Sequence, residues 1–155
     1  MKIRLAEEKD MVELWDWRND PNTRKNSINK EKISFETHKT WFIDALNNER
    51  KTILMGIDQV TEQKIGMVRF DVLKDKRTET SININPKLRG VGFGSRLLQK
   101  SVDEYFQLHP GSKFVANIVK KNEVSVKLFS NVGFEYEGDV NGSIIRMSLN
   151  KVILE

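Results

Sequence analysis

The sequence predicts an α+β fold: a mixed, mostly antiparallel sheet of six to seven strands, flanked by about four helices. Two observations point there. Runs with strand-type alternation come in groups and not one by one between helices, giving the order β, α, α, three β, α, β, α, two β. The grouped strands are also joined by short polar turns, at Gln59 to Gln63, Asp75 to Arg77 and Asn141-Gly142, as hairpins require.

Lys2 to Ala6 alternates as a first strand, and Glu8 to Arg18 places Met11, Val12, Leu14 and Trp15 at helical spacing. Asp20-Pro21-Asn22 is expected to end that helix, leaving Thr23 to Ile33 as a long polar connection. Ser34 is a natural cap for a second helix carrying Phe35, Trp41, Phe42, Ala45 and Leu46, with His38 near its first turn. Thr52 to Asp58 and Lys64 to Asp71 form a hairpin, and Thr78 to Asn85 is the next strand. A helix follows from Ser95 to His109 with Leu97, Leu98, Val102, Tyr105 and Phe106 as its buried stripe, stopped by Pro110-Gly111. Phe114 to Val119 is a short apolar strand holding one amide, Asn117. Asn122 opens the last helix, Gly133 closes it in a left-handed conformation, and Glu135 to Gly138 pairs with Ser143 to Leu149.

The stretch with most chemistry joins the fourth strand to the long helix: Asn85-Pro86-Lys87-Leu88-Arg89-Gly90-Val91-Gly92-Phe93-Gly94-Ser95. Alternate glycines let a backbone turn tightly and come close to a ligand, and a helix start supplies free N–H groups and a positive dipole end. Together these suit a pyrophosphate. The stretch lacks the Gly-Lys-Ser/Thr ending of a triphosphate loop, and no acidic residue follows at dinucleotide-fold spacing.

Composition narrows the function. With 155 residues, 38% hydrophobic and 31% charged, the chain suits one soluble domain over residues 1–155. No apolar run reaches membrane-spanning length and Met1 to Leu5 is no signal peptide, so the expected location is cytoplasmic, without membrane association. Without cysteine, disulfides, a thiol nucleophile and thiolate metal sites are excluded. With only His38 and His109 the expected chemistry is metal-free. The net charge of +4 favours anionic ligands. The basic residues are nevertheless scattered among acidic ones, without an aromatic-interleaved stripe, so nucleic acid is not the expected partner.

The Arg-Gly-x-Gly-x-Gly turn after a strand resembles the acetyl-coenzyme A signature of the GNAT acetyltransferases. A second motif, Asn122-x-x-Ser125-x-x-Leu128-Phe129-x-x-x-Gly133-Phe134, resembles that family's Asn-x-x-Ala-x-x-Leu-Tyr-x-x-x-Gly-Phe, and the element order matches along nearly the whole chain. The resemblance implies a metal-independent N-acetyltransferase with acetyl-coenzyme A as co-substrate. It implies too that the strand entering the loop splays from its neighbour to admit the acyl-pantetheine arm. Arg89, Gly90, Val91, Gly92, Phe93, Gly94 and Ser95 would then hold the pyrophosphate, and the backbone at Ile82, Asn83 and Ile84 would pair with the arm and offer an N–H to the thioester oxygen. Asn122, with Ser125, either bonds the arm or caps its helix. Phe129 stands where many members carry a tyrosine thought to protonate the leaving thiolate, so it is expected to pack beside the sulfur, with Tyr136 a fallback acid.

No single base stands out. Glu79, Ser81 and Asn83 share one face of a strand and are candidates to take the amine proton or hold a water that does. On the acceptor side, Trp15 to Asp20, Arg24 and the run Ile33 to Phe42 resemble the subgroup acetylating the 4-amino group of nucleotide-linked amino sugars in pseudaminic and legionaminic acid synthesis. That implies contacts from His38 and Trp41, a diphosphate on Arg18 or Arg24, and Asn117 on the neighbouring strand. A small-molecule amine is thus the expected partner, with a homodimer left open. The rivals are a ribosomal-protein N-terminal acetyltransferase, which shares the Arg-Asn-Asp-Pro type of opening, and a non-catalytic acyl-coenzyme A or nucleic-acid binding module.

Overall fold

The computed structural model describes residues 1–152. Seven strands form one sheet: β1 (Lys2–Leu5), β2 (Lys51–Ile57), β3 (Lys64–Val72), β4 (Thr78–Ile84), β5 (Lys113–Val119), β6 (Glu135–Asp139) and β7 (Ile144–Asn150), in the order β1-β2-β3-β4-β5-β7-β6. Every neighbouring pair is antiparallel except β4 and β5, which run parallel. Five helices cover its faces: α1 (Met11–Asn19), α2 (Pro21–Lys25), α3 (Phe35–Leu46), α4 (Phe93–Leu108) and α5 (Glu123–Asn131).

The alternation of β3 and β4 sorts the two faces. Val68 and Phe70 point to the α4 and α5 side, into a core with Leu97, Leu98, Val102 and Phe114. Ile53 and Met55 point the other way, into a core with Met11, Leu14, Trp17 and Phe42 of α1 and α3. Residues paired across antiparallel strands share a face, so the rows Ile53, Arg69, Ser81 and Met55, Met67, Asn83 lie under α1 and α3.

Several expectations are corrected. The first helix is not continuous from Glu8: a 3-10 turn at Glu8–Asp10 precedes α1, because the fully buried Asp10 carboxylate turns back to accept the Glu7 N–H at 2.8 Å. Arg4 and Lys64 each reach the same carboxylate at 2.8 Å, tying the start of α1 to β1 and β3. Asp20-Pro21-Asn22 ends α1 but at once begins α2, with Pro21 at the first position and Asp20 accepting the Thr23 N–H. Proline breaks a helix interior yet suits its first turn; the sequence reading rests on the first effect alone, and the second starts α2. The β6–β7 hairpin forms, but not as a two-residue turn: Asn141 and Gly142 keep negative φ, and Asn141 Oδ1 instead accepts the N–H groups of Ser143 and Ile144.

Candidate active site

The sheet opens where the sequence places its glycine turn. β4 and β5 are paired only at Thr78 with Phe114 and Glu79 with Val115, so beyond Glu79 the two strands part. The backbone of Ile82, Asn83 and Ile84 therefore faces a gap on its β5 side while remaining in register with β3 on the other. Ile82 and Ile84 also pack against the α4-side core, and Asn83 projects to the opposite face.

After β4, Asn85 holds the chain by donating from Nδ2 to the Lys64 carbonyl at 3.0 Å and accepting the Lys87 N–H at 3.1 Å. Gly90 and Gly92 then take φ of 76° and 85°, the left-handed region, and a Cβ at either would meet nothing within 4 Å. Gly92 precedes α4 without any side-chain cap. An open, uncapped helix start fits a pyrophosphate. At Gly94 a Cβ would sit 2.4 Å from Leu128 Cδ1, so its bareness also serves the packing of α4 on α5.

Arg89 does not face this opening alone. Its guanidinium pairs with Asp20 at 3.0 Å and with the Thr23 hydroxyl, joining the loop to α2. Asn122 caps α5 by accepting the Ser125 N–H at 3.2 Å, and it also donates to Ser125 Oγ and to the Asn26 carbonyl. Val91 is exposed, and Ser95 lies in the first turn of α4. Phe129 is buried, its ring edge-on to Phe134 with centroids 4.9 Å apart.

Of the candidate bases, Glu79 sits at the closed end of the gap. Its carboxylate accepts Nδ2–H of Asn117, whose Oδ1 in turn accepts Nε–H of Arg146 at 2.9 Å. Four residues of strand, about 13 Å, separate it from Asn83. Ser81 and Asn83 lie along the open part of β4, on the α1 and α3 face. Tyr136 is not brought to this place. It lies on β6, at the sheet's far edge, its hydroxyl donating to Asp139 at 2.6 Å beside Lys120 and Lys127.

The predicted acceptor residues divide. His38 is buried, and its Nε2 stands 2.9 Å from the Met11 carbonyl, which can only accept, so that nitrogen carries the proton and the ring binds α3 to α1. Burial holds its pKa below the ordinary value, and the charge of Arg18 pushes the same way against the carbonyl. An imidazole so enclosed is a core residue; periodicity alone could not separate this from a surface position. Trp41 lies beside it at 5.9 Å and is half-exposed. Above Trp41, at 5.2 Å from the ring centroid, stands the Arg69 guanidinium, which sequence reading missed although alternation along β3 put it on this face. Arg24 is turned back onto the Asn19 carbonyl at 3.2 Å. Arg18 is half-buried at the end of α1 and pairs with no described residue.

Among the described residues no group of three or more His, Cys, Asp or Glu could hold a metal ion, and no helix is long and apolar enough to cross a membrane.

Comparison with known proteins agrees with this geometry. Residues 3–146 match the model of the acetyltransferase (GNAT) domain family. The uncharacterized N-acetyltransferase YoaA of Bacillus subtilis (strain 168) is 32% identical over 124 residues, 77% of this chain and 70% of that protein. The fold is shared with the spermidine N-acetyltransferase of Vibrio cholerae in complex with CoA and spermine, at TM-score 0.84 and 21% identity over 96% of this chain and 94% of that one. It is shared too with a domain from Methanocaldococcus jannaschii DSM 2661, at TM-score 0.82 and 24% identity over 97% of both chains. With the parted strands and the open glycine turn, these matches establish that the chain belongs to the GNAT acetyltransferase family and is an N-acetyltransferase drawing on acetyl-coenzyme A.

Proposed function

We propose that this enzyme acetylates a primary amine of a small molecule, by direct attack while donor and acceptor are bound together. The observation that carries this is the gap beyond Glu79, where β4 and β5 part ahead of the uncapped start of α4. Acetyl-coenzyme A supplies an activated thioester. The loop from Arg89 to Ser95 holds its phosphates, Ile82 to Ile84 offer strand-edge groups to its arm, and an N–H there stabilises charge on the thioester oxygen. In this reading Ser81 and Asn83, along the unpaired part of β4, hold the water that receives the amine proton. No cysteine exists to carry the acetyl group, and alignment of the reactants supplies much of the acceleration.

For the acceptor, the sequence favours a nucleotide-linked amino sugar, a peptide N-terminus being its rival, whereas the Vibrio cholerae relative is named for a polyamine. A screen of acetyl-coenzyme A consumption over UDP-amino sugars, free amino sugars, polyamines and short peptides separates them. With the best acceptor, double-reciprocal lines are expected to converge; parallel lines, or an acetylated protein trapped without acceptor, would contradict direct attack.

Phe129 tests the need for an acid. A thiol of pKa about 8.5 leaves readily as thiolate, so Phe129→Tyr is expected to change turnover at pH 8 by less than about tenfold, read as thiol release. A rise of a hundredfold would show that protonation limits the enzyme.

A further inference from the structure

Three observations on the acceptor face point to one ligand chemistry. Arg18 has no hydrogen-bond or ion-pair partner among the described residues, and burial, with the charge of Arg69, holds its pKa below the usual guanidinium value. A half-buried guanidinium without a counter-charge is costly, and an anion removes that cost. Arg69 is braced from below by Trp41, which keeps its planar fork available. Its Nε is 3.0 Å from Asp71 Oδ2 but misaligned, so that Arg69 Nε and Asp71 Oδ1 are both buried without a hydrogen bond. Among the described residues Asp71 is paired with Arg69 alone, the Glu79 carboxylate across from it is engaged by Asn117, and the hydrogen-bonding set of Arg69 is unfinished.

The location supplies the scale. Arg69 is opposite Ser81, and the next row on the same face is Met67 opposite Asn83, at the open gap. Adjacent rows on one face are about 7 Å apart. We infer that the acceptor carries, besides its reacting amine, an anionic group, carboxylate or phosphate, that seats between Arg18 and the Trp41-backed fork of Arg69. Amine and anion in such a molecule are separated by a few bonds, and a polyamine, with cations at both ends, is the wrong class. The inference rests on the acetyltransferase reading and specifies its substrate.

The test uses matched pairs on the whole enzyme: phosphoethanolamine against ethanolamine, β-alanine against propylamine, with spermidine alongside. The anion-bearing member is expected to have kcat/KM at least tenfold above its partner, and the better of the two pairs distinguishes phosphate from carboxylate. Arg18→Gln and Arg69→Gln are expected to reduce that ratio to within about twofold, and Arg69→Lys to recover part of it. A preference for spermidine or for the neutral amines, or a ratio unmoved by both substitutions, overturns the inference. A second readout is independent of turnover. With the enzyme saturated in coenzyme A, phosphoethanolamine and β-alanine are titrated while arginine Nε–H resonances are followed by NMR, assigned by their loss in the two Gln variants. Shifts of Arg18 and Arg69 support the anion seat even if none of these amines is acetylated; resonances unmoved by both compounds at millimolar concentration overturn it.

Discussion

Gly92→Asp is expected to weaken coenzyme A binding by tenfold or more, on the order of 1.4 kcal/mol, in a protein that still folds. Gly92 has φ 85° immediately before α4, and the space around a Cβ is empty, so the effect does not come from collision with the protein. Two costs remain: the left-handed backbone, disfavoured for any residue with a Cβ, and a carboxylate against ligand phosphates at a positive helix end. Gly92→Asn separates them, because asparagine tolerates the same backbone without the charge. Calorimetric titration with coenzyme A should therefore rank wild type, then Asn, then Asp. Equal affinities for wild type and Asp would remove the phosphates from this loop. Gly94→Asp is no substitute, since a side chain there strikes Leu128 and disturbs α4 on α5.

Asp10→Ala is expected to destabilise the fold by about 3–5 kcal/mol, measured by urea unfolding, because it leaves Arg4 and Lys64 without the buried carboxylate between them. The pH dependence has a definite sign. Burial pushes the Asp10 pKa up, but hydrogen bonds from Arg4, Lys64 and the Glu7 N–H outweigh it and hold the folded value well below the ordinary 3.8. A depressed folded pKa contributes stability that is complete above the ordinary value and disappears as pH falls below it towards the folded one. Unfolding free energy of the wild type should thus drop between about pH 4 and pH 2 more steeply than that of Asp10→Ala. Parallel curves would show that Asp10 titrates alike in both states.

What could be read from the sequence was local. Asn122 and Ser34 as caps, the left-handed Gly133, the strand entering the glycine turn and the stripe of α4 each depend on residues a few positions apart, and each is present. What escaped depends on residues brought from afar. His38 is enclosed by α1, Glu79 is linked to Asn117 and Arg146 across three strands, and Arg69 meets Trp41 only because β3 passes beneath α3. The short helix α2 escaped for another reason: Pro21 has two opposite local meanings, and the choice is made by Asp20, which caps α2 while also pairing with Arg89. Of the acceptor-side residues, Trp41 meets Arg69, which did not belong to any motif.

The short β4–β5 pairing has a mechanical consequence. Four strands, β1 to β4, form one antiparallel ribbon, and β5, β7 and β6 form another. Their backbones are joined at two residue pairs, beside which the Asn117–Glu79 hydrogen bond acts as a stitch. The sheet thus has a seam. Beyond it each ribbon presents an interior edge of peptide groups that no neighbouring strand completes, the condition that elsewhere invites an added strand. A ligand lying along that seam is structurally a missing strand, and holding it lends the two ribbons the rigidity of a continuous sheet.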